Sequence, residues 1–189
     1  MRIDFISDVA CPWCAIGLAS LEQALAALGP EAEDIELHFQ PFELNPDMPP
    51  ERADAAAYLK AKYGMGDEQR AARRAHIAAC GAALGLVFGP RARVWNASEA
   101  HRLLHCAGLQ GPAAQRAMKR ALLQAYHGEG RNPATRAVLL ETAAAAAAAD
   151  GAQAGGGRRS HGCTTAAMTA MDAAAQATRL VAEIAADHG

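Results

Sequence analysis

The chain reads as an α/β protein, a parallel βαβ core followed by a large helical insertion. Three observations predict it. Apolar residues alternate or cluster in two short runs, Ile3, Phe5 and Ile6, then Ile35, Leu37 and Phe39. Between them Ile16, Leu18, Leu21, Leu25 and Leu28 recur at three- and four-residue steps, which is one stripe of a helix. Beyond residue 50 the chain is alanine-rich, with helical spacing and little strand character as far as Ala149.

The first strand leads through Ser7 and Asp8 to Cys11-Pro12-Trp13-Cys14. Pro12 suits the first position of a helix, where its missing N–H is no loss, and Gly29-Pro30 stops that helix. The second strand ends at Pro41. Strand, helix and strand in this order imply a right-handed crossover with parallel strands. Cys11 therefore emerges at the carboxyl end of the first strand, the edge where open α/β sheets place their chemistry. A proline-rich loop follows, Pro41-Phe42-Glu43-Leu44-Asn45-Pro46-Asp47-Met48-Pro49-Pro50. Helices are expected over 51–63, 67–86, 98–109 and 113–126, with another from Ala134. Asn96-Ala97-Ser98-Glu99 fits a capping box. The expected organisation is 1–45 as the core half with the cysteine pair, 46–149 as the helical insertion, 150–163 as a Gly/Arg-rich flexible linker and 164–189 as a final helix.

Composition bounds the function classes. The 189 residues, 51% of them hydrophobic, can bury one good core, and a formal charge of -2 gives no reason to expect nucleic acid or an anionic membrane as partner. No segment is apolar enough to span a bilayer, and the N-terminal residues lack the pattern of a signal peptide. The expected location is cytoplasmic. Thiols there are kept reduced, so a disulfide between Cys11 and Cys14 would be transient and catalytic.

A thiol at the first turn of a helix meets unpaired N–H groups and the positive end of the helix dipole, which favours its thiolate. Cys11 occupies that place, and Cys14 follows one turn on. The pair reads as a redox dithiol, with Pro12 and Trp13 lining the site. Trp13 can equally be a half-exposed packing residue. The alternative, half of a zinc site, needs two more ligands. Its only candidate pair is His101 and His105, far along the chain and better read as packed or solvated. Cys80 and Cys106 read as small buried residues inside helices, Cys163 as an exposed tail thiol, and Arg70, Arg73 and Arg74 as a solvated helix face. Arg158-Arg159 with His161 is too short a basic run for nucleic acid.

The run Ser7-Asp8-Val9-Ala10-Cys11-Pro12-Trp13-Cys14-Ala15-Ile16-Gly17 and the later Pro-Phe-Glu-Leu-Asn-Pro-Asp-Met-Pro of 41–49 are distinctive. With Asn96, Ala100-His101-Arg102-Leu103, Met118-Lys119, Ala125-Tyr126 and Glu129-Gly130, they resemble the DsbA family of thioredoxin-fold oxidoreductases, and within it the FrnE-like branch. The resemblance runs over about the first 135 to 140 residues. It implies a thioredoxin-like core with a helical insertion, thiol-disulfide exchange as the activity, Cys11 as the attacking sulfur and Cys14 as the resolving one. It implies no metal or organic cofactor, with glutathione or another thiol as candidate redox co-substrate and a disulfide-containing protein or small thiol as substrate.

The family's fold returns after the insertion as an antiparallel strand pair preceded by a cis-proline. No proline follows Pro133 here, and Ala143 to Ala149 and the Gly/Arg-rich stretch stand in that place. The strand pair is therefore expected to be missing, by truncation or a shifted reading frame, and the uncovered strand edge to favour a homo-oligomer. Two other functions remain open. One is a glutathione-dependent isomerase or transferase of the related kappa-like group, which carries serine where Cys11 stands. The other is an inactive, truncated family member.

Overall fold

The computed structural model describes residues 1–48, 53–90 and 93–154. Strand β1 (Arg2–Ser7) pairs in parallel with β2 (Glu36–Pro41), in a register that sets Ile3 against Leu37 and Phe5 against Phe39. Between them runs helix α1 (Pro12–Leu28), ended at Gly29, whose φ of 59° is one that glycine adopts without strain. A short 3-10 turn, Gly29–Ala32, then leads into β2. This is the parallel crossover that the sequence predicts.

Past the proline-rich loop come a short strand β3 (Ala53–Asp54) and helices α2 (Ala55–Tyr63) and α3 (Asp67–Ala82). The Asp54 carboxylate caps α2 by accepting from the Ala57 N–H at 2.9 Å. A second short strand, β4 (Arg93–Val94), pairs antiparallel with β3. Then follow α4 (Ser98–Gly108), α5 (Pro112–Leu123), a π-helical turn over Gln124–Gly128 and α6 (Arg136–Ala154).

One main core joins the sheet to the later helices. Val9, Leu18, Leu37 and Phe39 from the βαβ unit pack with Leu103, Leu104, Leu122 and Tyr126 from α4, α5 and the π turn, and with Leu139 and Ala143 from α6. Truncating a fully buried leucine such as Leu103 or Leu122 to alanine costs about 2–5 kcal/mol in such surroundings. Met48, Ala55 and Val94 form a separate small cluster with Tyr58, under β3 and β4. The segment 46–149 thus contributes to both clusters.

Several expectations need correction. The β3–β4 bridge lies inside a region read as helical with little strand character; two-residue strands are too short to show alternation. Helix α3 stops at Ala82, because the Leu84 and Leu86 N–H groups both turn back to the Gly81 carbonyl and Gly85 takes a φ of 75°. The capping box is not formed as read. Ala97 is the N-cap of α4, while Asn96 Oδ1 accepts from the Ser98 N–H at 2.8 Å and Asn96 Nδ2 donates to the Met48 carbonyl at 2.7 Å. Asn96 thus ties the loop before α4 to the loop after β2. Cys80 and Cys106 are half-buried rather than buried, with Cys80 beside His76. Helix α6 continues to Ala154, past the expected linker start at 150. The rest of that linker, Cys163, the final helix and the place of the antiparallel strand pair lie outside the described residues.

Candidate active site

Cys11 is the N-cap residue of α1, with extended backbone angles (φ −91°, ψ 116°), and Pro12 takes the first helical position. The Cys14 N–H returns to the Cys11 carbonyl at 3.1 Å, closing the first turn. Sequence dictates this local geometry: proline cannot donate there, and it fixes the φ the turn requires. The Cys14 thiol and the backbone N–H groups of Cys14 and Trp13 hydrogen-bond the Cys11 sulfur. The bond from the Cys14 thiol is the largest influence, and together these donors outweigh burial and the nearby Asp8 charge and lower the Cys11 thiol from 9.0 to about 6. Cys14 moves the opposite way, because its proton is held by Cys11 and it is partly desolvated.

Behind this turn lies a buried polar group. Asp8 is 2% exposed, yet its carboxylate accepts from the Ala10 N–H at 2.8 Å and the Leu44 N–H at 2.7 Å, and Oδ1 lies 3.2 Å from His101 Nε2. Burial raises the Asp8 carboxyl, but His101 and the two amides together hold it below its usual 3.8. Asp8 therefore fastens both the loop carrying Cys11 and the loop after β2 to helix α4. His127 anchors the same turn from the other side, donating from Nε2 to the Val9 carbonyl at 2.9 Å. The π turn makes that reach; such widened turns recur at functional sites.

Lys119, on α5, is fully buried and its Nζ has no hydrogen-bond partner. Burial lowers its ammonium from 10.5 to about 8, while the charges of Cys14, Asp8 and Cys11 act to keep the proton on. In return its charge favours the Cys14 thiolate. A buried ammonium beneath a dithiol is an electrostatic support for whichever sulfur must carry negative charge.

Above the turn opens a cavity of about 490 Å³. It is lined by Cys11, Pro12 and Trp13, by the apolar Tyr58, Leu59 and Met65, and by Arg70, Arg73, Arg74 and Ile77 of α3. Trp13 is 38% exposed, and its ring lies 5.6 Å from that of His76, which links the start of α1 to α3. Gly89 lines the same cavity and permits a close approach: its N–H donates to the His127 carbonyl at 2.8 Å, and a Cβ would lie 2.2 Å from the Gly128 oxygen.

The DSBA-like thioredoxin domain family matches residues 2–179. The chain belongs to this family. The match extends beyond the 135 to 140 residues over which the motifs alone carry the likeness. The DSBA-like, thioredoxin-type fold is similar to that of a probable DsbA oxidoreductase from Streptomyces coelicolor, at 29% identity and a TM-score of 0.65, covering 100% of this chain and 76% of that one. It is also similar to the cytosolic disulfide reductase DsbM from Pseudomonas aeruginosa, solved with GSH, at 18% identity and a TM-score of 0.50, covering 98% of this chain and 82% of that one. At that identity the second likeness is one of fold. A comparison with curated proteins returns no significant match.

Within the DSBA-like frame, Cys11, Pro12 and Trp13 come together at the cavity, and Cys14 bonds Cys11 from within α1. His101 joins the site through Asp8, whereas His105 is exposed. Among the described residues no group of three or more His, Cys, Asp or Glu side chains is placed to hold a metal ion. Sequence reasoning gave no role to His127, counted Lys119 only among the residues of the family likeness, and did not place the α3 arginines at the cavity. Lys119 had a signal: Gln115, Met118, Leu122 and Tyr126 recur on its face at helical spacing, so a lysine among them falls on the core side. His127 had none, because the π turn shifts the helical phase where it matters.

Proposed function

We propose that this DSBA-like protein is a thiol-disulfide oxidoreductase of the FrnE-like branch, working through Cys11 and Cys14. The observation that carries the reading is the Cys11 sulfur at the N-terminus of α1, held by three donors and facing the cavity. A thiol lowered to about 6 is mostly thiolate at neutral pH while remaining a competent nucleophile. The Cys11 thiolate attacks one sulfur of a substrate disulfide, the substrate S–S bond breaks, and the departing thiolate takes a proton from solvent. Cys14 then loses its proton and attacks the Cys11 sulfur, forming the Cys11–Cys14 disulfide and releasing the second substrate thiol. The favourable charge of Lys119 lowers the barrier to that second deprotonation. Run backwards, the same steps oxidise a dithiol.

Glutathione or another small thiol is the redox co-substrate in this reading, supported by the small-molecule size of the cavity beside Cys11 and by the GSH in the DsbM structure. A reducing compartment such as the cytosol suits a catalytic dithiol, and among the described residues no helix is long and apolar enough to cross a membrane. The kappa-like transferase reading has no need of Cys14, so the Cys14–Cys11 hydrogen bond favours dithiol chemistry over it.

The test is a stoichiometric reaction of the reduced protein with a small disulfide, quenched in acid and weighed. Cys11→Ser should abolish reaction at the pair, and Cys14→Ser should halt at a mixed disulfide on Cys11. Loss of reaction in neither variant overturns the assignment, and a folded wild type that never reacts supports the inactive alternative.

A further inference from the structure

We propose that the cavity beside Cys11 is selective for low-molecular-weight disulfides bearing carboxylates, with Arg73 and Arg74 of α3 as its specificity-determining residues. This rests on the oxidoreductase reading above and names the substrate class that the site would take.

Helix α3 turns one stripe toward the cavity: Asp67, Arg70, Ala71, Arg74, Ile77 and Ala78, spaced three and four apart. The stripe changes character along its length, polar toward the N-terminal end and apolar toward the C-terminal end. Its charges are not equivalent. Arg70 is already paired, its Nη1 lying 2.9 Å from Asp67 Oδ1. The other lining carboxylate, Asp54, is engaged in capping α2. Arg73 and Arg74 have no ion pair among the described residues, and both line the cavity. The Arg73 guanidinium lies 6.0 Å from the centre of the Tyr63 ring, within cation–π reach, and both arginines are exposed, so their N–H groups are accessible to an incoming anion.

The remainder of the lining sharpens the inference. Leu44, Tyr58, Leu59, Met65, Phe88 and Val94 make the walls apolar, so a ligand's charge finds few partners except on α3. Lys62 stands nearby, but its Nζ is engaged by the Leu44 carbonyl at 2.8 Å and by Asn45. The lining therefore offers a sulfur, an apolar body and guanidinium groups without an ion pair among the described residues. A disulfide with a carboxylate a few bonds from its sulfur matches all three features. A neutral disulfide of the same length leaves the guanidinium groups without a partner, and a cationic one is repelled.

The exchange itself balances without an added reductant when the protein starts as the dithiol. One substrate disulfide gains two electrons and leaves as two thiols, while Cys11 and Cys14 lose two electrons and become the disulfide.

Three disulfides of similar length separate charge from reactivity: 3,3′-dithiodipropionic acid, an anion; bis(2-hydroxyethyl) disulfide, neutral; and cystamine, a cation. Single-turnover rate constants are measured on the reduced full chain, each divided by the rate of the same disulfide with free dithiothreitol. The expected order is anion, neutral, cation, with the anion favoured over the neutral compound roughly fivefold and the gap narrowing in 0.5 M salt, as for solvent-accessible charge pairs. Arg73→Glu/Arg74→Glu should invert the order, so that cystamine becomes the fastest, a result that a damaged fold cannot mimic. Equal normalised rates for the three in wild type, or an unchanged order in the double variant, overturns the selectivity while leaving thiol exchange intact. No reaction of wild type with any of the three overturns the oxidoreductase reading itself, and the selectivity with it.

Discussion

Asp8 Oδ1 and His101 Nε2 lie 3.2 Å apart, both side chains buried, although 93 residues separate them in the chain. The His101 Nδ1 has no partner, so Nε2 is the nitrogen that donates. Asp8 also accepts from Ala10 and Leu44, so three donors from three segments converge on one carboxylate. Asp8→Asn replaces an acceptor-only group with one whose NH2 must face a donor. The expected cost is about 2 kcal/mol, or roughly 4–8 °C in Tm. The pH dependence has a definite sign. A carboxyl held below 3.8 in the folded state adds stability that is complete above about pH 4 and is lost as pH falls further. The gap in stability between wild type and Asp8→Asn should therefore be constant from pH 5 to 7 and shrink below pH 4, as read by urea unfolding.

Cys11 owes its low value first to the Cys14 thiol, then to backbone N–H groups. Iodoacetamide labelling of wild type should rise with a midpoint near pH 6, against 9.0 for an ordinary cysteine. Cys14→Ala removes the largest favourable influence while sparing the backbone donors, so its midpoint should move up toward, without reaching, the ordinary value. Cys14→Ser retains a hydroxyl donor and should fall between the two. An identical midpoint in all three proteins would refute the role of the Cys14 hydrogen bond.

The dithiol and its strand-to-helix setting were legible because their signal is local. Pro12 at the helix start, Cys11 before it and alternation in Ile35, Leu37 and Phe39 each act within a few residues. The supports beneath the site were not. His101 reads as an ordinary helical histidine until folding brings Asp8 to it, and His127 reaches Val9 across 118 residues through a π turn that breaks the regular phase. Arg73 and Arg74 are exposed, as a solvated helix face should be, but nothing local in α3 reveals that the cavity beside Cys11 lies against that face.

Lys119 makes a prediction in which stability and chemistry move in opposite directions. Its Nζ is buried without a hydrogen bond, and the difference between 10.5 and about 8 corresponds to about 3 kcal/mol of disfavoured charge. For a cationic group lowered on folding, that penalty is present below about pH 8 and is relieved as pH rises toward 10.5. Lys119→Met keeps the volume and removes the charge, so the reduced protein should gain about 1–2 kcal/mol at pH 7, a gain that fades at high pH. The same variant loses the charge that favours the Cys14 thiolate. Closure of the Cys11–Cys14 disulfide should slow about tenfold at pH 7, while initial attack by Cys11 changes less. Rapid-quench mass spectrometry separates the two steps; equal slowing of both would show a merely structural role.

Gln115 stands in for a neighbouring strand at the free edge of β2. Its Oε1 accepts from the Phe39 N–H at 2.9 Å and its Nε2 donates to the Phe39 carbonyl at 3.1 Å, while β1 occupies the other edge of β2. Both Phe39 groups are buried, so the side-chain amide satisfies what would otherwise be an orphan donor and an orphan acceptor. Gln115→Leu preserves size and helix propensity on α5 but leaves both groups unpaired. The expected loss is about 2–4 kcal/mol, two unmet hydrogen bonds at the usual desolvation cost. Gln115→Glu keeps the acceptor and removes the donor, and should lose less than Gln115→Leu at low pH, where the carboxylic acid can again donate to the Phe39 carbonyl. Amide hydrogen exchange at Phe39 reads the effect directly: protection should collapse in Gln115→Leu before it changes in β1, and equal protection in wild type and variant would show that another group covers this edge.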